Sequence, residues 1–332
     1  MTVALASTDT EHRTFREAVR DALDEELERD DDVFLMGEDI GEGGHVYKVT
    51  EGLWEKYGGE RVRDSPLSEA AILGAGVGAA ANGSRPVVDM MFSDFLGVCT
   101  EQILNQMSKL HYMFGGKIEI PLLVRASEGA GMNAAAQHSK TVHTVFAHMT
   151  GTKAVAPGTP AAAKGLTKSA IRSDDPVFFF EHKLLYDHDG EVPTDPDYTM
   201  PIGRARVERE GADVTVVATQ NYVRQALGVA DDLAGDVSVE VIDPLSLYPL
   251  DTETIVESVR KTGRLVVADE SPLSYGTHAE IMARVNESAF FSLDAPMQRV
   301  GVPDTPVPFT PPLEDEVVPT GADIRTAIER VT

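Results

Sequence analysis

The sequence predicts an α/β fold in two units, each with a mainly parallel sheet covered by helices. Three observations carry this. Short apolar runs alternate with amphipathic helical segments; the alternation stops at the acidic, proline-punctuated stretch YDHDGEVPTDPDYTMP (186–201); it then restarts. Taken in order, Phe15, Ala18, Val19, Ala22, Leu23 and Leu27 recur at helical spacing and predict a helix over 12–29 with an acidic outer face. VFLM (33–36) reads as a short buried strand. The Gly-rich GEDIGEGGHVYKVTEGLWEKYG (37–58) is too long for a simple connector and so reads as functional. Further strands are expected at PVVDMM (86–91), IPLLVR (120–125), KAVA (153–156) and PVFFF (176–180), with helices near 66–82, 95–113 and 160–172. Beyond the break come strand DVTVVAT (213–219), helix 221–234, strand VSVEVID (237–243), helix 252–261, strand RLVVADE (264–270), helix 276–290, a strand near 297–302 and a helix from about 321. The expected division is 1–190, a linker 191–204, and 205–332.

A chain of 332 residues, 42% hydrophobic, has the length and the core for two such units. Its 54 acids against 29 bases give a net charge of -25, which argues against general binding to nucleic acid or an anionic membrane. An acidic coat poor in Lys is the composition of a protein working in high salt, and it raises the expectation of a halophilic source. The single cysteine, Cys99, excludes an internal disulfide framework and a Cys-based zinc site. MTVALASTDTEHRTF lacks the basic and apolar regions of a signal peptide, and no apolar run has the length of a membrane span, so a cytoplasmic location is expected.

One stretch concentrates the chemical questions: DSPLSEAAILGAGVGAAANG (64–83). Ser65 reads as an N-cap and Pro66 as the first helical residue, so Glu69 falls in the first turn, where an acid complements the macrodipole. GAGVGAA (74–80) lacks the G-x-G-x-x-G spacing and lies inside a helix. Gly74, Gly76 and Gly78 each forgo about 1 kcal/mol against Ala there, which implies close packing. Walker A, H-E-x-x-H, G-x-S-x-G and Cys/His signatures are all missing. His138, in GAGMNAAAQHSK, stands among small residues in an expected loop with little apolar surface to pack on. His182 reads as a cap or orienting group, and Phe92 and Phe95 flank Ser-Asp just after a strand.

FLMGEDIG, VTEGLWEKYG, RVRDSPLSE, QILNQMSKLHYMFGGK, AAAQHS, KGLTKSAIRSDDPV and EHKLLY, in this order and spacing, resemble the β subunits of thiamine-diphosphate-dependent 2-oxo acid dehydrogenase E1 components over about 12–330. The resemblance implies a transketolase-like pyrimidine-binding domain followed by a transketolase C-terminal domain. It places Glu69 against N1′ of the cofactor's aminopyrimidine, where proton exchange with a sheltered carboxylate is a general acid/base task. Leu67 matches an apolar position near the cofactor, and Phe95 the aromatic packed on the pyrimidine. His138 matches an active-site His on the substrate side, with Lys140 where Gln is commoner in the family. A structural potassium ion is implied at oxygens of Leu122, Ala170, Ile171, Ser173 and Asp175.

Thiamine-diphosphate enzymes hold Mg²⁺ and the diphosphate with Gly-Asp-Gly followed downstream by Asn-Asn. HDG (188–190) is the nearest fragment here, and no Asn-Asn follows it. The chain therefore resembles half a site, completed by an E1 α subunit in an α2β2 heterotetramer. The implied activity is decarboxylation of a 2-oxo acid, pyruvate or branched-chain, with reductive acylation of the lipoyl group of E2, the dihydrolipoyl acyltransferase. MFSDF, KLHYMFGGK and FFEHKLLYDHDGEVP equally resemble acetoin-cleaving E1 β subunits. A noncatalytic assembly subunit is the alternative of another class, against which Glu69, Phe95 and His138 speak.

Overall fold

A computed structural model describes residues 9–332; residues 1–8, where the segment read for a targeting signal begins, lie outside the described residues. Contacts divide the chain into two compact units. One comprises the residues up to Glu128 with Val145–Val155 and Thr159–Ile202, the other Gly129–Thr144, Ala156–Gly158 and Gly203–Thr332.

The first unit runs through β1 (Thr10–Thr14), α1 (Phe15–Arg29), β2 (Val33–Gly37), α2 (Leu53–Tyr57), β3 (Val62–Asp64), α3 (Glu69–Ala81), β4 (Arg85–Phe92), α4 (Leu110–Met113) and β5 (Leu123–Glu128). The segment Gly129–Thr144, part of the second unit, carries α5 (Ala135–His138) and the start of α6 (His143–Ala147). β6 (Lys153–Val155), α7 (Pro160–Ile171), β7 (Val177–His182) and β8 (Asp189–Pro193) complete the first unit. Its parallel strands lie in the order β6-β7-β5-β4-β2-β3. β5 and β7 are buried along their whole length, and each opens on apolar residues, Leu-Val in β5 and Val-Phe-Phe-Phe in β7. β1 and β8 pair antiparallel apart from this sheet, so the start of the expected linker is strand.

The second unit continues with β9 (Arg206–Arg209), β10 (Val214–Ala218), α8 (Asn221–Asp232), β11 (Val239–Asp243), β12 (Ser246–Tyr248), α9 (Thr252–Thr262), β13 (Leu265–Pro272), α10 (Thr277–Ala289), β14 (Gln298–Val302), α11 (Pro311–Val317) and α12 (Gly321–Glu329). Its sheet has the order β14-β13-β10-β11-β9, parallel except for the edge strand β9. Alternation along β10 sends Val214, Val216 and Ala218 into one apolar cluster with residues of α8 and α12. Val217 goes into another with residues of α9 and α10, so both faces of the sheet are covered.

Three local expectations give way to the geometry. The helix expected over 95–113 is a 3₁₀ turn at Ser93–Gly97, a π-helical stretch at Gln102–Met107 and the short α4. The extra residue per turn shows in the bond from Ser108 N–H to Ile103 O, 3.2 Å, and it keeps Ile103 and Met107 in the core. β5 begins three residues later than expected, because Pro121 has no N–H and Leu122 N–H turns back to Ile120 O. Ser65 is not the cap of α3: its N–H bonds Gly37 O at 2.9 Å, holding it to the end of β2. Pro66 lies in the turn that follows, Ser68 takes the N-cap position without a side-chain cap bond, and Glu69 becomes the first residue of the helix.

The glycines of α3 have separate explanations. A Cβ at Gly76 would lie 2.6 Å from Val88 Cγ2 and 3.3 Å from Leu122 Cδ1, so this glycine lets α3 seat on β4. Gly78 faces open space in this chain. Gly76→Ala is therefore expected to destabilise the chain by about 1–3 kcal/mol through overpacking. Gly78→Ala should stabilise it by up to about 1 kcal/mol. Chemical denaturation of the two variants measures both.

Candidate cofactor site

In an open parallel sheet, ligands bind beyond the carboxyl ends of the strands, where the strand order reverses. Here β3 lies on one side of β2 and β4 on the other, so the reversal falls between β2 and β4. The two strands approach closely at Gly37, where a Cβ would meet Asp89 Cβ and Asp89 O at 2.8 Å. Glu38 follows β2, Glu69 follows the turn after β3, and Phe92 ends β4.

Asp89 shapes the far side of this crevice. Its Oδ1 accepts the N–H of Met91, two residues on, at 2.9 Å. Met91 has φ 55, and the register with β5 shifts between Asp89 and Phe92. The Met91 carbonyl accepts Ser127 Oγ at 2.5 Å, which fixes the irregularity from the neighbouring strand. A break of this kind re-aims the side chains after it. Phe92 and Phe95 emerge half-buried and edge to face, with centroids 6.1 Å apart.

Beneath them lies a buried ion network. Arg125, 2% exposed, gives Nη1 to Asp89 Oδ2 at 2.8 Å. It gives Nε and Nη2 to the two Glu181 oxygens at 2.7 and 2.9 Å. One guanidinium thus ties β4, β5 and β7 together. Burial alone would raise the Asp89 carboxyl, but His45 and Arg125 outweigh it and hold the group well below the usual carboxylate range. Burial, with Glu181 alongside, keeps the Tyr186 phenol above its usual range.

Glu69, as the first residue of α3, is half-buried in this chain. The shelter expected for it is thus incomplete here. Glu38 is the more buried acid, 8% exposed, and its Oε1 accepts the N–H of Ser68 at 3.2 Å. Burial raises the Glu38 carboxyl; the Ser68 bond offsets part of this, and the charges of Glu69, Asp39 and Asp89 add to it. Two carboxyl groups therefore share the start of α3, one of them pushed towards its protonated form. The thiol of Cys99, bonded to Phe95 O at 3.5 Å, is pushed up to about 12 by burial, with the Glu69 charge adding. Leu67, in the turn just before α3, is 81% exposed.

Sequence reasoning singled out Glu69, Leu67 and Phe95: Leu67 and Glu69 stand at the turn into α3, and Phe95 in the 3₁₀ turn after β4. It did not single out Glu38, Asp89 or Arg125. The available signal was a charged residue inside an apolar strand, as in PVVDMM and LLVRA.

His138 belongs to the second unit, at the end of α5 and half-buried. Two buried acids pin the segment that carries it. Glu270 Oε1 accepts Ala130 N–H at 2.7 Å and Thr141 Oγ at 3.0 Å. Glu314 takes Gly131 N–H at 2.7 Å and the Asn133 amide. Ala135 is held at φ 59, an unfavourable conformation for Ala that the pinned segment sustains. Lys140 is exposed beside it. His182 Nδ1 accepts Leu184 N–H at 3.2 Å, capping the 3₁₀ turn Lys183–Leu185.

The oxygens matched to a potassium site lie around the end of α7. Leu122 O accepts Val177 N–H, and Ala170 O accepts Ser173 N–H. Ile171 O and Ser173 O converge on one atom, Arg85 Nη1, at 3.1 and 3.2 Å. Lys153 pairs with Asp175 at 2.9 Å. Cationic side chains of the chain thus already reach this cluster. Among the described residues, no group of three or more His, Cys, Asp or Glu side chains is placed to hold a metal ion. No helix there is long and apolar enough to cross a membrane.

Replacing Arg125 by Leu leaves Asp89 and Glu181 buried without their common cation. The expected loss is about 3–5 kcal/mol of stability. Denaturant unfolding of the purified chain checks it.

Residues 11–188 match the transketolase pyrimidine-binding domain and residues 203–324 the transketolase C-terminal domain. The chain is 46% identical to the acetoin:2,6-dichlorophenolindophenol oxidoreductase subunit beta of Cupriavidus necator, over 94% of this chain and 95% of that protein. It is 44% identical to the 2-oxoisovalerate dehydrogenase subunit beta of Bacillus subtilis, over 91% and 93%. It is 43% identical to the pyruvate dehydrogenase E1 component subunit beta of Rickettsia felis, over 96% and 98%. A solved structure described as a split-gene transketolase, an inactive beta4 tetramer, has the same fold, with a TM-score of 0.78 at 24% identity over 96% of this chain and 97% of that one.

Proposed function

Since the chain belongs to the family of thiamine-diphosphate-dependent 2-oxo acid dehydrogenase E1 β subunits, we propose that it forms the pyrimidine half of an E1 active site. The reaction is decarboxylation of pyruvate or a branched-chain 2-oxo acid, with transfer of the acyl unit to the lipoyl group of E2. The observation that carries this reading is Glu69 at the head of α3, with buried Glu38 holding the N-cap Ser68, at the sheet's reversal point where Phe92 ends β4.

When bound, thiamine diphosphate supplies an acidic thiazolium carbon that adds to the substrate carbonyl. Glu69 holds and moves a proton at pyrimidine N1′, a general acid/base role. Glu38 accepts Ser68 N–H and so holds the first turn of α3, where Glu69 stands. Phe95 gives the pyrimidine an apolar face, and Leu67, exposed in the single chain, packs against cofactor or partner on assembly. His138 moves protons on the substrate side.

An E1 α subunit supplies the diphosphate and Mg²⁺ site in an α2β2 heterotetramer, and activity requires it. Exposed Tyr112, Met113 and Phe114 are apolar surface of the kind such an assembly buries. The second reading is acetoin cleavage with the same half-site, favoured by the 46% and 44% identity to two acetoin oxidoreductase β subunits. A potassium ion at Leu122, Ala170, Ile171, Ser173 and Asp175 would share the Ile171 and Ser173 carbonyls with Arg85. We place the working complex in the cytoplasm.

Glu69→Ala, assembled with the α subunit, should keep the tetramer and lose turnover by about 10²–10⁴-fold. Wild-type-like turnover sinks the assignment and favours a noncatalytic assembly role. Pyruvate, branched 2-oxo acids, 2-oxoglutarate and acetoin, each assayed with an artificial electron acceptor, separate the two substrate readings.

A further inference from the structure

His45 sits in the Gly-rich segment after β2, a place where its residue type looks costly. Its φ is 69, in the left-handed region that favours glycine, and its ring is 2% exposed. A histidine held there against backbone preference and desolvation must be retained by what its ring does. Nδ1 accepts the N–H of Tyr47 at 3.2 Å, an arrangement that places the ring proton on Nε2. Nε2 lies 3.5 Å from Asp89 Oδ1. Asp89 and Glu181 set two carboxylates against the single Arg125 guanidinium, so a donor facing Asp89 gives that buried carboxylate a further polar partner.

The segment held in this way touches the site at both ends. At its start Glu38 fixes Ser68 N–H, and so the first turn of α3 where Glu69 stands. Further along, Tyr47 meets Phe92 edge to face at 6.2 Å and stacks on Tyr186 at 4.6 Å. We propose that His45 is a positioning residue: by latching the 38–52 segment to Asp89 it sets both the acid side and the aromatic side of the pyrimidine site. This rests on the pyrimidine-binding reading above.

The test uses the complex assembled with the α subunit and two substitutions of comparable size, His45→Gln and His45→Leu. Both keep the backbone strain and most of the packing, and only Gln keeps a donor near the Nε2 position. Asp89 retains Met91 N–H and Arg125 in either case, so the fold should persist. Two quantities are read: the Kd for thiamine diphosphate with Mg²⁺ by calorimetry, and hydrogen exchange across residues 38–52. His45→Leu should weaken cofactor binding by about tenfold and speed exchange in this segment. His45→Gln should stay within about threefold of wild type in binding.

Equal affinity for wild type, Gln and Leu overturns the latch, as does equal loss in both variants, which reports packing alone. Turnover of Glu69→Gln in the same complex separates the two levels. If it abolishes turnover while His45→Leu binds normally, the latch alone is wrong. If Glu69→Gln also turns over normally, the pyrimidine-site reading is wrong.

Discussion

The Arg125 guanidinium, shared between Asp89 and Glu181, is the contact on which the first unit depends. Three adjacent parallel strands each contribute one charged side chain to it, in a largely apolar interior. Taking such charges out of water costs several kcal/mol each, repaid only by close geometry and further hydrogen bonds. Both conditions are met. The Arg125–Glu181 contact is bidentate, and Asp89 has additional partners in Met91 N–H and His45.

What this arrangement secures is local shape. With Asp89 fixed by Arg125, its other oxygen can hold Met91 N–H, and β4 breaks its register just before Phe92. The aromatic pair at the sheet edge then follows from a charge placed three residues earlier. On the opposite side of the crevice, Glu38 holds Ser68 and Ser65 is tied to Gly37, so α3 starts at Glu69 and not three residues before it at Pro66. Glu69 thus stands where two separate backbone constraints put it.

The periodic parts of this fold were legible in the sequence. Helix α1 and strands β2, β4, β7, β10, β11 and β13 follow from residue spacing alone, because each buries one stripe or both faces of an apolar run. The resemblance in motif order supplied Glu69, Leu67, Phe95 and His138, which no spacing rule would have selected. What escaped depends on tertiary contacts. The cap position of α3 is decided by Glu38 and Gly37, elements distant from SPLSE in sequence. The π-helical stretch answers to burial of Ile103 and Met107. His45 carried no sequence signal, since its role depends on a left-handed backbone and on Asp89 in another strand.

The central claim is that this chain holds only the pyrimidine half of a cofactor site. The missing Gly-Asp-Gly and Asn-Asn pair, the exposed Leu67 and the half-buried Glu69 all point to a second chain. Calorimetric titration of thiamine diphosphate with Mg²⁺ tests this directly, run on the isolated chain and on the complex with its α subunit. The account requires weak or undetectable binding to the isolated chain and saturable binding to the complex. Tight, Mg²⁺-dependent binding to the isolated chain would contradict it.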